Sequence, residues 1–164
     1  MTYNPRPVCI TGVFISLFAF FAGASFAAET TTQEHVHSMA HEVMPFDVSK
    51  TLHVFKMTES GGVQTVVSKD PQAADQIKMI QMHLQHEAAQ FQRGNYADPA
   101  TLHGAGMPGL KELRGGARHI KVAYDSIPTG GRITFETRDL LLLTAIHRWF
   151  GAQLSEHGAD AKAE

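Results

Sequence analysis

The sequence predicts an α+β domain of two ββα units, each a hairpin followed by a helix, merged into one antiparallel sheet with the helices packed on one face. Two pairs of short runs rich in β-branched and aromatic residues each flank a turn segment holding a Gly-Gly pair, Gly61-Gly62 and Gly130-Gly131. Each pair of runs leads into an Asp and then a stretch whose apolar residues recur at helical period. Asp139 follows Asp70 at the same offset along the chain as the second glycine pair follows the first. A lone hairpin is marginal in water, so two such units gain by merging.

The segment 1–27 reads as an export signal. Arg6 supplies a positive charge, Val8 to Ala24 an apolar run, and Ser25-Phe26-Ala27 the small residues before a cut after Ala27. An uncleaved membrane anchor is the alternative, because the run is longer than the about 7–15 residues of a typical cleaved core. Cleavage removes the single cysteine, Cys9, and lowers Lys plus Arg from 14 to 13 against 16 Asp plus Glu, a formal charge of −3. So weak a charge gives no ground for nucleic-acid binding. Without a cysteine no disulfide staples the fold, and burial alone must hold it.

Residues 28–50 are polar and aperiodic and are expected to form a flexible arm. The first unit spans 51–93: strands over Leu52–Thr58 and Val63–Ser68, then a helix opened by Asp70 as N-cap with Pro71 at its first position. Residues 94–117 are a connector with a short helix from about Pro108 to Arg114. The second unit spans 118–157: strands over His119–Ser126 and Arg132–Thr137, then a helix capped by Asp139 and running to His157. Residues 158–164 are expected to be a disordered tail.

After Ala27 the chain carries all ten histidines and six of the seven methionines. Imidazole and thioether without thiol suit a soft or borderline metal ion in an oxidising compartment, periplasmic or secreted. In the first helix Ile77, Ile80, Leu84, Ala88 and Phe91 form the core stripe, while Met79, His83 and His86 form a second stripe that Gln90 continues. Such a stripe places donors one above another, within reach of one ion. In the connector, small residues between His103 and Met107 let both converge on the same point. His83, His86, Met79, His103 and Met107 are therefore the candidate ligands, for copper first and zinc second. In the arm, His35, His37, Met39 and His41 alternate donors that a flexible chain can wrap around one ion, as an auxiliary collector.

Plainer roles fit the same residues: boundary histidines, a packed Met107, and a solvated spacer. His157 at a helix C-terminus fits a protonated imidazole facing the helix dipole. His53 shares a face with Phe55 and Met57 and can approach the helices, whereas His119 is expected to be exposed. His83-Leu84-Gln85-His86-Glu87 is not the HExxH of zinc proteases, since the spacing and the glutamate position differ. Nucleophile elbows, phosphate-binding loops and basic-aromatic patches are missing from the sequence. Acidic residues such as Glu87 and Asp98 offer a base for a metal-dependent hydrolase or oxidase. A metal-free module binding a periplasmic protein through its sheet is the third alternative.

Thr58-Glu59-Ser60-Gly61-Gly62-Val63-Gln64, the stretch from His83-Leu84-Gln85-His86-Glu87 through Phe91-Gln92-Arg93-Gly94-Asn95-Tyr96-Ala97-Asp98-Pro99 to Leu102-His103-Gly104, and Met107-Pro108-Gly109 resemble a family of small exported bacterial proteins with no assigned activity. The likeness spans roughly Thr51 to His157. It implies export and a shared fold and carries over no site residue.

Overall fold

Beyond Met1, the computed structural model describes residues 24–164, with side chains from residue 33 onward. The chain runs α1 (Ala24–Val43), β1 (Thr51–Thr58), β2 (Gly61–Ser68), α2 (Ala74–Gln92), α3 (Ala97–His103), α4 (Leu110–Gly116), β3 (Ile120–Ile127), β4 (Gly130–Thr137), α5 (Leu140–His157) and β5 (Ala161–Ala163). Both hairpin-then-helix units form as the sequence predicts, and their strands join in one mostly antiparallel sheet of order β3-β4-β2-β1-β5. The apolar run of the expected export signal and Cys9 lie, up to residue 23, outside the described residues. The expected cut after Ala27 falls within α1. Among the described residues no helix is long and apolar enough to cross a membrane.

The two units meet through β2 and β4, which pair antiparallel with Gln64 opposite Ile133 at the centre of the ladder. Those two residues stand at the same offset along the chain as the glycine pairs, so the repeat read from the turns also sets the register. Close approach explains the first glycine of each pair. A Cβ at Gly61 would lie 1.9 Å from the carbonyl oxygen of Phe135, and one at Gly130 would lie 2.0 Å from that of Val66. His147 of α5 ties the first turn to the helix layer, its Nε2–H donating to the carbonyls of Thr58 (3.0 Å) and Gly61 (2.8 Å).

Alternation places His53, Phe55, Gln64, Val66, Ile133 and Phe135 on the helix side of the sheet. From α2 come Ile80, Leu84, Ala88 and Phe91, and from α5 Leu142, Ile146, Trp149 and Phe150, all buried. Trp149 is fully buried at the centre, edge-on to Phe91 (5.6 Å), Tyr96 (5.5 Å) and Phe135 (5.5 Å). Such edge-to-face contacts add to area burial in holding the rings in register.

Asp139 caps α5 as predicted, accepting from the backbone N–H groups of Leu141 (2.8 Å) and Leu142 (3.3 Å). Asp139→Ala is expected to cost about 1 kcal/mol and Asp139→Asn much less, as read from urea midpoints. Asp70 does otherwise. Its carboxylate accepts from Gln72 N–H (2.8 Å) and its carbonyl from Ala73 N–H (3.2 Å), closing a separate turn, and α2 begins at Ala74 with no side-chain cap. In the connector α4 starts two residues later than Pro108, and α3 forms where the sequence predicts no helix.

Two further expectations are corrected. The supposed flexible arm is helical up to Val43, because its few apolar side chains fall at helical spacing. Val36 and Ala40 are buried, Val43 and Met44 pack partly on the core, and Phe46 and Val48 follow them inward. Low average hydrophobicity hides a narrow stripe that docks on α5 and α3, and tertiary packing of such a stripe is what holds most helices. The supposed disordered tail turns through Gly158–Asp160 and adds β5 in parallel to β1, with Ala161 opposite His53. Lys69–Asp160 (2.9 Å) and Lys56–Glu164 (3.0 Å) ion pairs flank it. The unpaired backbone of an edge strand is an available template, and the tail occupies it.

Candidate functional site

Between the sheet and the helix layer lies a cavity of about 30 Å³, room for about two water molecules. Each neighbouring element sends side chains to it. β1 supplies His53 and β2 Gln64; α2 supplies His83 and Glu87, one helical turn apart; α3 supplies Asp98 and His103; α5 supplies Gln153 below Trp149. Val43, Met44 and Phe46 close it from the α1 side, with Phe46 edge-on to His83 at 5.6 Å.

The polar groups here are strongly desolvated. His53 is 1% exposed, and neither of its ring nitrogens has a hydrogen-bond partner. Burial pushes its pKa down to about 4, so the ring is neutral. Burial also lowers His83, opposed in part by the nearby Asp98 carboxylate. Glu87 moves the other way, up to about 8, first through burial and then through Asp98, with which it shares a hydrogen bond. Two carboxyls so close in a dry site cannot both ionise freely, so one proton stays between them at neutral pH. Gln64 Oε1 and Trp149 Nε1 are likewise buried without partners.

His103 is oriented by Glu156, whose Oε2 lies 2.7 Å from its Nδ1. A carboxylate only accepts, so the hydrogen sits on Nδ1. This is how carboxylates fix the tautomer and orientation of metal-binding imidazoles. Behind these residues His157 stacks on His53 (centroids 4.7 Å apart, planes at 22°) and lies edge-on to His103 at 5.0 Å. His157 is buried, its Nε2 has no partner, and burial holds its pKa well below the usual imidazole value. The expected pairing of a protonated His157 with the helix dipole is therefore corrected: desolvation keeps the ring neutral.

Of the five residues predicted to form one site, only His83 and His103 line this cavity. His86 is exposed on the outer side of α2, where its Nε2 accepts from the Gln90 side chain at 3.0 Å. Met79 is half-buried against the core, and Met107 is a buried core residue. Helix geometry is the reason: from His83 the inward row continues four residues on to Glu87, while His86 turns the opposite way. The alternating set in α1 also divides, because residues two apart on a helix point about 200° apart. His35 and Met39 share one side, and His37 and His41 the other. His41 pairs with Glu42 at 3.0 Å on the surface. His119 is exposed, as expected.

Among the described residues no three His, Cys, Asp or Glu side chains are already arranged around a common metal position. The sequence offers Glu87 and Asp98 as candidate bases and lets His53 approach the helices, but it does not place the carboxyl pair beside His53 and His83, and it does not single out Gln153. Strand alternation puts His53 on the inner face, and that is the available signal. No known protein-family model, curated protein or solved structure matches the chain.

Proposed function

We propose that this is an exported cation-binding protein whose site is the internal cavity. His53, His83 and His103 act as imidazole donors, and the Glu87–Asp98 wall supplies negative charge. The observation that carries the reading is His53, buried with two unpartnered nitrogens in a cavity it shares with two further histidines and a carboxyl pair. An orphaned buried polar group is costly, and a ligand that satisfies it recovers that cost. Neutral imidazole is also the ligating form, so the lowered pKa values favour a metal over a proton.

Ligand chemistry selects the ion. Met79 and Met107 are engaged in packing and Met44 is the one thioether in the cavity wall, against three imidazoles and two carboxyls, a donor set that suits Zn²⁺ or Cu²⁺ better than Cu⁺. Side-chain rotation must draw the donors together around the ion. Export is supported by the charge, apolar run and small-residue order of the segment 1–27 and by the thiol-free remainder.

Titration of the protein with Zn²⁺, Cu²⁺ and Cu⁺ tests this. One Zn²⁺ or Cu²⁺ per chain is expected, with affinity lowered by about 100-fold or more in His53→Ala and His83→Ala, whose folding is checked by circular dichroism. Wild-type affinity in both variants would overturn the reading. A second reading, acid-base catalysis on a small molecule, is favoured by the proton that Glu87 retains near neutral pH. It predicts turnover that needs no metal and is lost in Glu87→Gln.

A further inference from the structure

Glu87 and Asp98 line the cavity on one side and a second pocket of about 40 Å³ on the other. The outer pocket is polar, and His86, Gln90 and Asn95 help to complete it. Resting on the cavity reading above, we propose that this outer pocket is the port through which the cation reaches the cavity, with His86 as first donor and the Glu87–Asp98 pair as the gate.

The walls explain the route. Much of the cavity lining is apolar, including Phe46, Leu84, Leu102 and Trp149, and offers no donor to a cation shedding its water. Moving a bare charge across such a surface is prohibitive, whereas passing from one oxygen or nitrogen ligand to the next keeps it compensated. Only at Glu87 and Asp98 does one pair of carboxyls touch both spaces among the described residues. Behind that pair lies His53, fully buried with two unpartnered nitrogens, the group that gives an arriving ion a destination.

In front of the pair His86 is exposed yet held. Asn95 donates to Gln90 Oε1 at 2.9 Å, and the Gln90 N–H donates to His86 Nε2 at 3.0 Å. The chain fixes the ring over the pocket, and an incoming ion displaces one neutral amide hydrogen bond to take its place. His86, which the sequence places in the final site, is assigned instead to the approach.

Stopped-flow mixing with Zn²⁺ separates the outcomes. His86→Ala, a change on an exposed helix face, is expected to slow both association and dissociation by 10-fold or more while equilibrium affinity and stoichiometry stay within 2-fold. Gln76→Ala frees the segment holding Phe46, because Gln76 exchanges hydrogen bonds with the Asp47 backbone at 2.7 and 3.3 Å. It is expected to leave the rates unchanged. Unchanged rates in His86→Ala, or faster rates in Gln76→Ala, would overturn the port and leave the cavity reading standing. A large loss of affinity in His86→Ala would make His86 a ligand of the final site and overturn the port as well. Failure of the wild-type chain to take up Zn²⁺ would remove the cavity reading itself, and the port with it.

Discussion

Measured against a Glu87→Gln variant, the metal-free protein is expected to lose roughly 1.5–2 kcal/mol of stability between pH 6.5 and 8. In the folded chain Glu87 holds its proton up to about pH 8, against 4.5 for an ordinary glutamate, because burial and Asp98 oppose its charge. The folded state therefore binds the proton more tightly than the unfolded one. Its contribution is fully present below pH 4.5 and is lost as pH rises through about 8. The slope is about 1.36 kcal/mol per pH unit well below the folded-state midpoint of about 8 and halves there, so the rise from 6.5 to 8 accounts for roughly 1.5–2 kcal/mol. The glutamine of the variant is close to a protonated glutamate in shape and can still donate to Asp98, so this slope disappears with little new cost. Both proteins carry the same histidines, whose titration cancels in the comparison.

The histidines themselves act at the acid end with the opposite sign. His53 titrates near 4 in the folded chain and near 6.5 unfolded, so its contribution is present above 6.5 and lost as pH falls through about 4. His83 and His157 shift in the same direction. Stability of the wild-type chain should peak between pH 6 and 7, with Glu87 setting the alkaline side. Urea midpoints from pH 5 to 8.5 for both proteins measure this, and a stability difference between them that stays constant with pH would sink the assignment.

The elements legible in the sequence are those whose signals are local. Turn glycines, β-branched runs and the Asp139 cap act within a few residues, so both hairpins and α5 are predicted within two residues of their observed ends. β5 is invisible because three residues make a strand only when β1 offers its edge. α1 is hidden because the surfaces that bury Val36 and Ala40 belong to distant parts of the chain. The candidate site divides along the same line. Periodicity gives angles between residues on one helix but not the rotation of that helix against the sheet, so the pattern points to His86 where the structure turns Glu87 inward. His53 faces His83 only because sheet pairing and helix docking bring two separate elements together, and no local pattern reports that.

A large loss of stability from a single methyl group is expected at Gly109, in the connector. Gly109 precedes α4 with φ +84° and ψ −19°, a left-handed conformation that costs a residue with a Cβ roughly 1–2 kcal/mol. Space adds a second penalty: an alanine Cβ there would sit 2.2 Å from the carbonyl oxygen of Ala145 and 3.3 Å from the Cβ of Trp149. A backbone carbonyl inside α5 has no rotamer to escape into, so α4 must lift from α5. That opens the packing around Trp149, which holds Phe91, Tyr96 and Phe135 and forms one wall of the cavity. A total of several kcal/mol is expected, a large share of the ~5–15 kcal/mol that holds a domain together. Gly106, three residues earlier, is the matched control, since a Cβ there meets nothing within 4 Å. Gly106→Ala should change the urea midpoint by no more than the ~0.5 kcal/mol typical of an open surface site. If the two alanine variants unfold alike, the close approach of α4 to α5 is not what Met107-Pro108-Gly109 provides. If they differ as expected, the motif is structural: Met107 fills the core, Gly109 lets two helices touch, and the chemistry of this loop rests with His103 alone.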